Sequence, residues 1–156
     1  MEFHSDASFE GATFSDGAWF GKVRFFAEAS FYEATFSGDV RFDGASFSGD
    51  AWFQRTTFTG SALFNEASFS GEVQFDEVRF AGHAWFEKAT FSRGAGFGGA
   101  TFANRGGFVG ATFSASTTFA QVALLPGATI SLQDAVFLAH LDAGPFAPPP
   151  TSNRAS

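Results

Sequence analysis

Apolar positions in this chain follow neither a helical nor a strand period. From Ala29 to Phe75 the sequence reads ASFYEATFSGDVRFDGASFSGDAWFQRTTFTGSALFNEASFSGEVQF, with Phe at 31, 36, 42, 47, 53, 58, 64, 69 and 75. The steps alternate strictly between five and six. On an α-helix, turning about 100° per residue, such steps scatter successive rings over nearly opposite faces. On a flat strand, a step of five sends every other ring to the solvent side. The series can be buried only if the chain bends between consecutive rings, so that each points back toward a common axis.

The residue two before each ring is small: Ala29, Ala34, Val40, Ala45, Ala51, Thr56, Ala62, Ala67 and Val73. In an extended segment it points the same way as the ring and must share the inside of the wall with it. The positions left over hold Gly, Ser, Asp, Asn, Glu, Lys and Thr, the chemistry of turns and wet surfaces. Four steps close a coil of 22 residues, which stacks the rings into four ladders. They are Phe9-31-53-75-97-119, then Phe14-36-58-80-102 with Leu124, then Phe20-42-64-86-108 with Ile130, then Phe3-25-47-69-91-113. Of the 25 Phe residues only Phe26, Phe137 and Phe146 fall outside. Burying each ring contributes about 1.5–3 kcal/mol, so a core forms without disulfides.

The pentads ASFEG, ATFSD, ASFYE, ATFSG, ASFSG, TTFTG and ATFAN resemble the pentapeptide-repeat family. The resemblance covers roughly residues 1 to 130. It implies a right-handed, four-sided β-helix with a Phe or Leu at the central inward position and Ala two before it. Family repeats usually run in uniform fives, whereas every second step here is six, which reads as an extra corner residue at the Gly-Asp of FSGDV and FSGDAW. The expected fold is therefore an all-β solenoid of about six coils, about 28 Å long at the strand spacing.

After Ile130 the rule breaks, since the step to Phe137 is seven. SLQDAVFLAHL, residues 131–141, reads instead as a short helix, with Ser131 and Asp134 near its start and Leu132, Val136, Phe137 and Leu141 as its apolar stripe. The expected organisation is a solenoid over 1–130, a helical cap over 131–143 and a tail over 144–156, the last with the Pro-rich composition of disorder. A β-like final half-coil is the alternative to the helix. No cap precedes Phe3, so a homodimer contact through the uncapped end or the C-terminal segment is expected.

The net charge is −7, with 16 acidic and 9 basic residues. Acids dominate up to residue 88, a surface that repels nucleic acid and attracts a basic partner. Cys is absent and no signal-like or 18-residue apolar segment occurs, which points to a cytoplasmic protein without a membrane span.

No catalytic constellation, cofactor site or metal site is legible. His4, His83 and His140 are too scattered for a metal, no Ser sits in a nucleophile-elbow context, and the GxG matches are repeat punctuation. The outward columns say more. One reads Trp19, Arg41, Leu63, Trp85, and another Glu28, Asp50, Glu72; together they form the candidate interaction surface. The expected function is a non-catalytic binding or scaffold module whose partner is another protein. The family resemblance adds an alternative, an acidic mimic of duplex DNA that binds a type II topoisomerase such as DNA gyrase. A remoter alternative is an ice-binding solenoid, from the column Thr13, Thr35, Thr57, Arg79, Thr101.

Overall fold

The computed structural model describes residues 1–146. Its two- and three-residue strands form four parallel sheets, two of seven strands and two of six, each sheet one wall of a four-sided coil. We name the walls by the first ring of each ladder. The Phe3 wall begins with Glu2–Phe3, the Phe9 wall with Ala7–Ser8, the Phe14 wall with Thr13–Phe14 and the Phe20 wall with Ala18–Trp19. Pairing follows the 22-residue step, Ala29 with Ala51 and Phe36 with Phe58, for example.

Inside, each ladder stacks its rings face to face, as in Phe31–Phe53 at 4.9 Å and 3° and Phe64–Phe86 at 4.9 Å and 2°. The opposed Phe9 and Phe20 ladders interlock edge-on: Phe42 meets Phe31 at 5.4 Å and 87° and Phe53 at 5.7 Å and 90°. Every central ring thus has parallel neighbours along the axis and perpendicular ones across it, both favoured aromatic geometries. The small residues two before the rings are buried as expected, and the one hydroxyl among them in the central stretch, Thr56, donates to the Phe31 carbonyl at 2.7 Å.

The two step lengths make two kinds of corner. In the five-residue step the Phe31 carbonyl accepts the Ala34 N–H at 2.9 Å, and Glu33 between them has φ 55°. This left-handed position recurs at every such corner, yet it holds Gly only at 11, 44, 99 and 110; elsewhere it holds residues such as Lys22, Arg55, Glu66 and Glu77. A side chain there costs about 1–2 kcal/mol. The next coil holds the conformation, because Glu66 N–H donates to Glu87 O at 2.8 Å and Glu77 N–H to Gly98 O at 2.8 Å. In the six-residue step the extra residue lets the chain graze the coil below. A Cβ on Gly71 would lie 2.5 Å from the Gly49 carbonyl oxygen, so only glycine fits.

The helical cap expected over 131–143 does not form. That segment continues the walls as the strands Thr129–Ser131, Val136–Phe137 and Leu141–Asp142. Pairing there shifts by two, Phe113 with Phe137 and Thr117 with Leu141. Ile130 therefore pairs with Gly106 and is not the rung above Phe108. Because Phe108 N–H donates to Ser131 O, that rung is Leu132. The turn Leu125–Ala128, with Gly127 at φ 86°, absorbs the two additional residues. Counted from Leu132, the step to Phe137 is five again, and Asp134 takes the left-handed corner at φ 58°. Helical spacing of Leu132, Val136 and Phe137 was a by-product of a coil two residues longer. Gly144–Phe146 then form a 3-10 turn, so the expected tail begins with ordered structure, and the rest of it, 147–156, lies outside the described residues.

Candidate functional site on the outer walls

Trp19, Arg41, Leu63 and Trp85 line up on the Phe20 wall as successive strand partners. Trp19 is 74% exposed, with the Arg41 guanidinium 5.2 Å from its ring centroid, and Arg41 also reaches Asp43 at 3.7 Å. Trp85 is half-buried. Its indole lies over Gly107, where a Cβ would come within 2.6 Å of the ring, and the His83 ring stacks on it at 5.4 Å. Trp85 therefore shields backbone, and Trp19 alone in this column offers an open indole.

Glu28, Asp50 and Glu72 line the corner between the Phe3 and Phe9 walls, away from the Trp19 column. In each coil the Phe9 and Phe20 walls are separated by a whole wall on either side, so the two candidate groups lie on different sides of the rod. On the same side as the acids lie Tyr32 and Trp52, both half-buried. Trp52 pairs with Ser30, which is only 6% exposed although its position faces outward. Nor is the acidic column merely solvated: Asp50 Oδ1 accepts the Glu72 N–H at 2.9 Å, and Asp6 Oδ1 the Glu28 N–H at 3.2 Å.

Charge is sorted between the walls, which a linear reading cannot see. The Phe9 wall and its corners carry Asp6, Glu10, Glu28, Glu33, Asp50, Glu72, Asp76, Glu77 and Asp142 against Arg55 and Arg93. The Phe20 wall and its corners mix Asp16, Asp39, Asp43, Glu66, Glu87 and Asp134 with Lys22, Arg41, Lys88 and Arg105. Arg55 bridges to Glu33 at 3.4 Å, and hydrogen bonding to Tyr32, then the Glu33 charge, raises its pKa. Partial burial pushes Asp76 up, opposed by the Gly98 N–H that its carboxylate accepts at 2.8 Å. Burial also raises Asp43, against the pull of Arg41.

The hydroxyl column on the Phe14 wall is in register but broken by exposed Arg79, which pairs with Thr57 and Thr101. Among the described residues no group of three or more His, Cys, Asp or Glu is placed to hold a metal, and no helix is long and apolar enough to cross a membrane.

These features define a four-sided parallel β-solenoid built on an aromatic ladder. A family profile described as pentapeptide repeats (9 copies) matches residues 1–35, 26–67, 53–101 and 64–111, and the chain belongs to that family. Neither a search of curated proteins nor one of solved structures returned a significant match.

Proposed function

We propose that the protein is a non-catalytic binding scaffold of the cytoplasm whose Phe9 wall receives a positively charged segment of another protein. The observation that supports this reading is the sorting of charge: nine carboxylates against two arginines on the Phe9 wall, and six carboxylates against four cations on the wall behind it. Such a surface steers a cationic partner to one side of the rod. Tyr32 and Trp52 lie among those acids and can take cationic side chains against their rings. The fold belongs to a repeat class that acts through its surface, and the walls present continuous columns at the strand spacing.

The test is titration of an oligolysine peptide, followed by Trp fluorescence, against the native chain and the variant Glu28→Lys/Asp50→Asn/Glu72→Lys. Asn at 50 keeps the oxygen that accepts the Glu72 N–H; Lys there would remove it. Native chain should bind with an affinity that falls steeply as salt rises, and the variant at least about tenfold more weakly. Equal affinity for both chains would sink the reading. A second reading, the duplex mimic for a type II topoisomerase, draws on the one-coil spacing of Glu28, Asp50 and Glu72.

A further inference from the structure

The corner between the Phe3 and Phe9 walls contains one position, Gly94, with no side chain to make an intercoil bond that recurs on these walls. The column three before each Phe9-ladder ring reads Asp6, Glu28, Asp50, Glu72, Gly94, Ser116. Asp6 and Asp50 each use Oδ1 to accept the backbone N–H of the next residue in the column, as described above. The same device recurs elsewhere on the walls: Asp39 accepts Ser61 N–H at 2.9 Å, Asn65 accepts Glu87 N–H at 2.9 Å, and Asp76 accepts Gly98 N–H at 2.8 Å. A backbone N–H one coil on is therefore a donor that this fold repeatedly gives to a carboxylate or amide oxygen.

Gly94 has no side chain to supply that oxygen, and among the described residues the Ser116 N–H donates to no acceptor, as is also true of the Asp50 and Gly94 N–H groups that follow the longer Glu28 and Glu72. The register is unbroken here, Ala95 pairing with Thr117 and Gly96 with Thr118. Ser116 N–H thus stands to Gly94 as Glu72 N–H stands to Asp50. A surface notch occupies this place, lined by Glu72, Ser92, Arg93, Gly94, Ala115 and Ser116. It coincides with a change at the preceding corner position, where Gly49 and Gly71 graze the coil below and Arg93 carries a full side chain. Arg93 takes part in none of the ion pairs among the described residues.

We propose that this notch binds a carboxylate group, which takes the place of the absent aspartate. One oxygen accepts the Ser116 N–H, the hydroxyls of Ser92 and Ser116 are at hand for the other, and the Arg93 guanidinium supplies the opposite charge. Glu72 opposes the ligand, its Oε2 lying 3.7 Å from where a Gly94 Cβ would be. The fold already accepts that proximity, since Asp50 sits between Glu28 and Glu72 in the same column. The carboxylate comes either from a small organic acid or from an acidic side chain of a protein, and both present the same group.

Amide chemical shifts of the labelled full chain, titrated at constant ionic strength, test this. Acetate should move the Ser116 and Gly94 amides saturably while chloride leaves them in place. Gly94→Asp, for which the site has room (nearest atoms 3.7 and 3.8 Å), should abolish the response and raise the melting temperature by closing the missing bond. Arg93→Gln, a surface change, should weaken acetate about tenfold, the loss of one charge-assisted contact. A blocked Gly-Asp-Gly peptide and its Asn counterpart separate the sources: tighter binding of the Asp peptide than acetate marks a protein side chain, and acetate alone marks a small acid. Amides that ignore both acetate and the Asp peptide, or that respond equally in Gly94→Asp, would overturn the proposal.

Discussion

Phe146 meets Phe119 edge-on, with ring centroids 5.7 Å apart and planes at 80°. Strand pairing sets Asp142 opposite Thr118, so the rung above Phe119 falls to Ala143, which has no ring to offer. The 3-10 turn at Gly144–Phe146 brings a ring back over the ladder from three residues further on. Composition alone places Phe146 in a disordered tail, whereas the packing gives its ring a partner. Phe146→Ala should destabilise the chain by about 1–2 kcal/mol, the worth of one partly buried aromatic contact. Phe58→Ala, fully buried between Phe36 and Phe80, should cost about 3–5 kcal/mol. Denaturant midpoints that rank the two the other way would contradict this assignment.

The two corner types should respond oppositely to glycine. Gly71→Ala forces a methyl into the Gly49 backbone and should lower stability by more than about 2 kcal/mol. Glu66→Gly relieves a left-handed side chain at φ 60° but frees the unfolded chain, and should fall within about 1 kcal/mol of native, on the stabilising side. A large loss in Glu66→Gly would mean that its side chain, not its backbone, matters there.

Asp76 gives the stability a pH signature. Burial raises its pKa in the folded state, so the folded chain holds this proton more tightly than the unfolded one. Its contribution is therefore greatest below the ordinary carboxylate value and declines as pH rises through the elevated one. Asp76→Asn keeps the oxygen that accepts the Gly98 N–H but cannot ionise. The melting temperature of the variant relative to native should climb between about pH 4 and pH 7. A difference that stays flat across that range, or one that falls, would rule out burial as the cause.

For the topoisomerase reading, gyrase supercoiling assays should show little inhibition at micromolar protein. The dense acidic surface occupies one wall and ends near Glu77, which is short for a duplex mimic. Potent inhibition, lost in Glu28→Lys/Asp50→Asn/Glu72→Lys, would place that reading first.

How much the sequence discloses depends on what repeats. Rungs such as Phe31, Phe53 and Phe75 were legible because a ring every five or six residues has only one geometry that buries it. The rung at Leu132 was not, because Ile130 kept the spacing while the turn at Leu125–Ala128 consumed two residues, and nothing local separates the two apolar candidates. Asp50 read as a solvated or phosphate-like charge because its hydrogen bond goes to a residue 22 positions away. Trp19 and Glu72 looked like parts of one surface for a related reason: proximity along a column is visible in a string, and the side of the rod is not.

The alternation of five and six carries a symmetry with consequences of its own. Eleven residues advance the chain half a coil and turn it about 180°, so the molecule has an approximate twofold screw axis. Insertion or deletion of 11 residues would leave every later ring on a ladder, because opposite walls accept the same pattern. It would also carry all the downstream side chains to the other side of the rod. Removing one such unit between Trp19 and Asp50 would bring Asp50 and Glu72 round to the side of Trp19, with the aromatic interior intact. Half-coil gains and losses can therefore exchange what a solenoid of this kind presents to its surroundings without redesigning what holds it together.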